Sequence, residues 1–153
     1  MISMSKGYKA ILIISAVTLV IIWGHSMMPP SVSSDESGFV LKLLTPFLEI
    51  FTGKGNVTEH LVRKLGHFTE YTVFGAELGI LSGCITALNS FLKRFGGAII
   101  TAFTAAFIDE TIQIFSGRGP AITDVWIDIA GAVLGSVIAL LIIYSASKRR
   151  RKL

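Results

Sequence analysis

The chain has 153 residues, of which 52% are hydrophobic and 16% charged, with a formal net charge of +4. A soluble domain of this size carries charge on roughly a quarter of its residues, so the composition excludes an ordinary soluble enzyme, and the length leaves no room for a membrane bundle plus a separate soluble domain. A single cysteine, Cys84, excludes an internal disulfide and any multi-cysteine zinc site.

Lys6 and Lys9 precede an apolar run from Ala10 to Trp23 that resembles a secretory leader. No small-x-small cleavage pattern comes after it, since Trp23, His25, Met27 and Met28 are bulky, so a retained helix is expected. A bilayer core of about 30 Å needs roughly 20 mostly apolar helical residues. Four stretches satisfy that length, over residues 8–28, 60–87, 95–115 and 124–144. The first stops at Pro29-Pro30, where a helix cannot continue. In lipid every backbone polar group must be paired within its own segment, so all four are read as helices.

The cations set an orientation. Lys6 and Lys9, the Lys93-Arg94 pair between the second and third spans, and the C-terminal run from Lys148 to Lys152 all fall on one side. The positive-inside rule makes that side cytoplasmic, as expected of a multi-pass protein of an inner or plasma membrane. The fold class expected is an all-α integral membrane bundle of four transmembrane helices with both termini cytoplasmic, forming one domain over residues 1–153. The basic charge suits anionic lipid headgroups better than nucleic acid.

Two connections then face outward. Residues 29–59 begin with a Ser-rich turn at Ser31, Ser33, Ser34 and Ser37, and contain an apolar stretch from Phe39 to Phe51 interrupted by Pro46. That stretch is too short to span and is expected at the interface or re-entering partway. The second connection, residues 116–123, is a tight Gly/Pro turn carrying Arg118. Within the spans, Gly75, Gly79 and Gly83 recur every four positions, as do Gly131 and Gly135. This spacing lays a groove along one helix face and predicts close backbone packing.

Ionisable groups inside membrane segments are expensive and need a reason. The second span opens with Arg63, Lys64, His67, Glu70 and Tyr71, with Glu77 deeper. The third ends in Asp109, Glu110 and Gln113, and the fourth opens with Asp124 and Asp128. By the topology above, all occupy the outer halves of their helices. Singly each has a plain explanation: Asp124 as a helix cap, Arg63, Lys64 and Arg118 reaching to headgroups, His67 and Glu70 as a local pair. Together they exceed what a structural bundle needs and are expected to line an outward polar cavity. Arg63, Lys64, Arg118 and a protonated His67 suit a phosphate or pyrophosphate. His67, Glu70, Asp109 and Glu110 are the candidates for acid–base work. With Asp124 and Asp128 these groups also offer ligands for a divalent metal, although the spacing fits no established metal pattern. No serine or cysteine stands beside His67 in a nucleophile pattern, and no Gly-rich phosphate loop occurs.

On these residues the chain resembles the VanZ-like family. The resemblance rests on His25-Ser26-Met27-Met28-Pro29; on Arg63-Lys64-Leu65-Gly66-His67-Phe68-Thr69-Glu70-Tyr71; and on Asp109-Glu110-Thr111-Ile112-Gln113 with Gly117-Arg118, Asp124, Asp128 and Gly131. It implies a cell-envelope membrane protein associated with resistance to teicoplanin, a lipoglycopeptide antibiotic, and leaves the chemistry open. Three readings are compatible with it. The first is a binding protein for an anionic lipid-linked cell-wall intermediate or the drug, through Arg63, Lys64, His67, Glu70, Tyr71, Gln113, Arg118, Asp124 and Asp128. The second is a small intramembrane enzyme acting on a lipid phosphate or wall precursor. The third is a proton-coupled transporter or subunit, with a partner or further copies supplying what four short helices lack.

Overall fold

A computed structural model describes residues 6–85, 89–117, 119 and 121–150. Among these residues five helices succeed one another: α1 (Lys6–Met27), α2 (Pro30–Thr52), α3 (Glu59–Gly83), α4 (Phe91–Phe115) and α5 (Ile122–Arg150). No strand occurs among the described residues. Helices α1, α3, α4 and α5 form a bundle, with α3 and α5 making the most extensive contact and α2 leaning on α3.

Around a few large core side chains such as Tyr71 and Phe74, the buried faces of the helices carry many small residues and the outer faces large ones. On α4, Ala98, Ala102, Ala105, Ala106 and Asp109 turn inward, whereas Ile100, Phe103 and Phe107 are exposed. Ile13, Ile14, Val17, Val20 and Ile21 of α1 are likewise exposed. An apolar exterior around a close-packed interior is what lipid demands of a helical bundle. Helices α1, α4 and α5 are each long and apolar enough to cross a membrane. Helix α3 has the length, but Glu59, Arg63, Lys64, Glu70 and Glu77 lie along it.

The glycine spacing does what it predicts. A Cβ on Gly75 would strike the backbone of Ala132, one on Gly131 the carbonyl of Phe68, and one on Gly135 the carbonyl of Thr72. Nearby, the Ser136 hydroxyl donates to the Gly75 carbonyl at 2.8 Å. A polar side chain thus reinforces the seam where the two backbones run closest.

The segment after α1 differs from expectation. The serines after Pro30 do not form a turn; residues 30–52 are one continuous helix. Pro30 occupies the first turn, where its missing N–H is no loss and its fixed φ is already helical. Pro46 sits inside the helix. Phe39, Leu43, Phe47, Ile50 and Phe51 form an exposed stripe along one face.

The other helix limits move by a few residues. Helix α4 starts earlier because the Ser90 hydroxyl accepts the Lys93 N–H. Helix α3 ends at Gly83 rather than running to 87, and residues 86–88 lie outside those described.

Candidate polar site beneath the helix α4–α5 turn

The site begins at the N-terminal half of α3. Thr58 caps that helix by accepting the Leu61 N–H at 3.2 Å, which fixes where its first turn starts. Tyr71, Phe74 and Leu78 then fall on the face that packs into the core, and His67, one turn before Tyr71, shares it. Asp109 in the C-terminal half of α4 and Asp128 in the second turn of α5 are both fully buried. His67 Nδ1 lies 3.4 Å from Asp128 Oδ1 and 3.8 Å from Asp109 Oδ2. One atom from each of three helices thus meets at a point.

A second layer fixes the acids. Gln113, one turn after Asp109, donates to Asp109 Oδ2 at 3.4 Å and to Glu110 Oε1 at 2.9 Å. The other Glu110 oxygen accepts the backbone N–H of Ala121 at 2.8 Å. Glu110 therefore ties the α4–α5 turn to the bundle. The buried Ser26 side chain of α1 lies beside Asp109, and the Ser116 hydroxyl donates to the Ser26 carbonyl at 2.8 Å.

Among the described residues, one cavity reaches this centre and a groove lies beyond Glu110. The cavity, polar and about 180 Å³ in volume, is lined by His60, Arg63, His67, Gln113, Ala121 and Asp124, among others. Lys64 Nζ lies 3.6 Å from Asp124 Oδ1 at its rim. The larger, apolar groove of about 470 Å³ runs between α4 and α5, lined by Phe103, Phe107, Ile114, Ile122, Val125 and Trp126 together with Glu110 and Ala121. Ala121 borders both.

The expected residues are not one cluster. His67, Asp109 and Asp128 form the centre, and Gln113 and Glu110 brace it. Arg63 and Asp124 line the polar cavity, and Lys64 is engaged with Asp124. Glu70 does not pair with His67. It turns toward α1, where its Oε1 lies 2.7 Å from His25 Nδ1. Residues three apart on a helix are neighbours, but His67 is claimed by α4 and α5 while Glu70 faces α1. Glu77 also faces α1, accepting the Thr18 hydroxyl at 2.9 Å, about 15 Å further along α3 than His67. Tyr71 is fully buried beside the centre. Arg118 lies outside the described residues. Cys84 caps the far end of α3, away from the site.

Sequence patterns alone do not single out His60 or His25 as site residues. His60 sits seven residues before His67, so two helical turns bring it to nearly the same face, and that spacing is the available signal. The stretch around His25 gives no sign of its pairing with Glu70, which lies 45 positions away.

The bundle with its lipid-matched exterior and buried ionisable centre defines a helical membrane protein with a polar site near one end of its helices. The chain matches the VanZ/LLP1 family over residues 11–143, most of its length, and belongs to that family. Neither the curated proteins nor the solved structures contain a match to it.

Proposed function

We propose that this protein is a four-pass component of the bacterial cytoplasmic membrane that binds an anionic, lipid-linked molecule of the cell envelope. Both termini would lie in the cytoplasm, with the polar site in the outer half of the bilayer, a placement that the distribution of Lys and Arg supports. The observation that carries this reading is the adjoining pair of cavities, one polar and one apolar, which share Ala121. An amphiphile with a phosphate head and a hydrocarbon tail needs that combination. Arg63, His60 and His67 supply donors for the head, and the groove between α4 and α5 supplies a lipid-facing channel for the tail.

Size favours a lipid headgroup over the drug. Sites for drug-sized ligands run to about 300–1,000 Å³, and the polar cavity is about 180 Å³. A role in teicoplanin resistance would then be indirect, through occupancy of a lipid-linked wall intermediate. The test has two arms. Purified protein in nanodiscs is titrated with an undecaprenyl pyrophosphate and with a neutral isoprenoid of the same length. In parallel, a sensitive Gram-positive host expressing the wild type or Arg63→Gln is challenged with teicoplanin and vancomycin. Saturable binding of the pyrophosphate alone, reduced in the variant, supports the reading, and equal binding of both lipids refutes it.

A second reading, a small intramembrane enzyme acting on a lipid phosphate, is favoured by one feature. His67 lines the polar cavity while its Nδ1 faces buried carboxylates, the geometry of an imidazole held for proton transfer. Phosphate release from the bound lipid, abolished in His67→Gln, would replace binding by turnover.

A further inference from the structure

We infer that His67, Asp109 and Asp128 form a binding site for one divalent cation of the borderline class, Zn²⁺ or Mn²⁺. Ligand atoms from the three side chains all lie within 4.8 Å of one another. Two ligands held about 2.1 Å from a common ion at tetrahedral angles are about 3.4 Å apart. The separations here are 3.4 Å and 3.8 Å from His67 Nδ1 to the two carboxylates, close to that spacing, and the carboxylate pair lies within 4.8 Å, so the side chains need only draw in around the ion. One imidazole with two carboxylates is a donor set that Zn²⁺ and Mn²⁺ accept, whereas Ca²⁺ wants more oxygen atoms.

A second observation points to a ligand independently of that spacing. Asp128 is fully buried, yet neither of its oxygens accepts a hydrogen bond from any described residue, and Asp109 Oδ1 is in the same position. The Tyr71 hydroxyl, one turn along α3 and fully buried, also lacks a partner among the described residues. Two buried carboxylates that share one imidazole and keep lone pairs open are costly to the fold. A single divalent ion balances two carboxylates beside a neutral imidazole and occupies the lone pairs that the protein leaves open. The Gln113 amide on Asp109 Oδ2 would then orient a ligand from outside, as supporting groups around metal sites do. This inference stands apart from the headgroup reading, because the ion needs no lipid to bind. It also resolves a conflict in that reading: without a cation, an anion in the polar cavity would sit over two buried carboxylates.

The test uses the full-length protein in detergent, purified on a tag without histidine, stripped with chelator and desalted. It is then loaded with ZnCl₂ or MnCl₂, desalted again and assayed for metal by mass spectrometry. The expected result is about one ion per chain in the wild type, lost in Asp128→Asn and in His67→Gln. Glu77→Gln, outside the site, keeps it, and Gln113→Ala binds about tenfold more weakly. A rise in thermal midpoint on loading, present in wild type and Glu77→Gln, checks the same point without relying on the site variants to fold. No retained metal in the wild type, or equal metal in wild type and both site variants, overturns the proposal. Loss in the site variants without a thermal shift in the wild type also overturns it, since a buried ion must stabilise the fold it binds.

Discussion

Gly135 of α5 rests directly against the carbonyl oxygen of Thr72 on α3, with no space for a methyl group between them. That contact, repeated at Gly131 against Phe68 and at Gly75 against Ala132, sets how closely the two helices approach. It also sets whether Asp128, one turn before Ala132 on α5, reaches His67. Gly135→Ala should destabilise the bundle by about 1–3 kcal/mol, the usual range for overpacking a close interface. Gly96→Ala, where an added Cβ meets nothing within 4 Å, should be neutral or slightly stabilising. Thermal unfolding in detergent micelles, followed by circular dichroism, distinguishes the two.

Glu110 is a brace as much as a chemical group. Removing its carboxylate in Glu110→Ala leaves the Ala121 N–H and one Gln113 donor without their acceptor. A loss of about 1–3 kcal/mol is expected, together with faster proteolysis at the α4–α5 turn. Glu110→Gln keeps an amide oxygen for Ala121 and should lose less. If both variants are as stable and protease-resistant as wild type, the brace is not important to the fold.

Arg63 and Lys64 adjoin in sequence but differ in engagement. Lys64 is already paired with Asp124 at 3.6 Å, while Arg63 lines the polar cavity. Arg63→Gln should weaken binding of an anionic polyprenyl lipid about tenfold, the worth of one charge-assisted hydrogen bond. Lys64→Gln should change it by no more than about threefold, as for a partly exposed pair. Isothermal titration in nanodiscs measures both, and equal losses would mean that the two cations act only as general positive charge.

His25 and Glu70 give a cleaner separation of structure from function. The pair is partly exposed, so a double-mutant cycle of His25→Ala and Glu70→Gln should show coupling below about 1 kcal/mol in stability. Neither single variant should alter metal retention, because neither residue reaches the His67 centre. Loss of metal in Glu70→Gln would mean that the centre extends to α1.

Helix α2 should lie on the membrane rather than cross it. In Phe47→Trp, placed within the exposed apolar stripe on a background with Trp23 and Trp126 replaced by Phe, indole fluorescence should be quenched most by spin labels high on the lipid acyl chains. An amphipathic helix at the interface buries its apolar face only about 5–10 Å deep. Quenching greatest by labels at the chain ends would instead mark α2 as a deep, re-entrant element.

The parts legible in the sequence are those encoded by spacing within one helix. Gly75, Gly79, Gly131 and Gly135 announce a close α3–α5 approach because a four-residue repeat of small side chains has one geometric consequence. The stacking of Asp109 with Gln113 is equally local. Which face meets which is settled by packing, and there local spacing misleads: His67 and Glu70 look like partners, yet α4 and α5 take one and α1 the other. Helix α2 is hidden by composition, since serines after a proline suit a turn as well as a first helical turn. The narrowing of six candidate ligands to His67, Asp109 and Asp128 depends on side chains up to 61 positions apart, beyond any local pattern.

Ala121 borders both cavities, and its backbone is held in place by Glu110. A ligand moving from the groove to the polar cavity would pass a methyl group, the smallest side-chain threshold available short of glycine. Such a doorway would open sideways into the bilayer, so traffic would arrive by diffusion in two dimensions and never need to leave the lipid. The size of residue 121 would then act as a sieve on the neck of the amphiphile, where head joins tail, independently of how tightly either end is held.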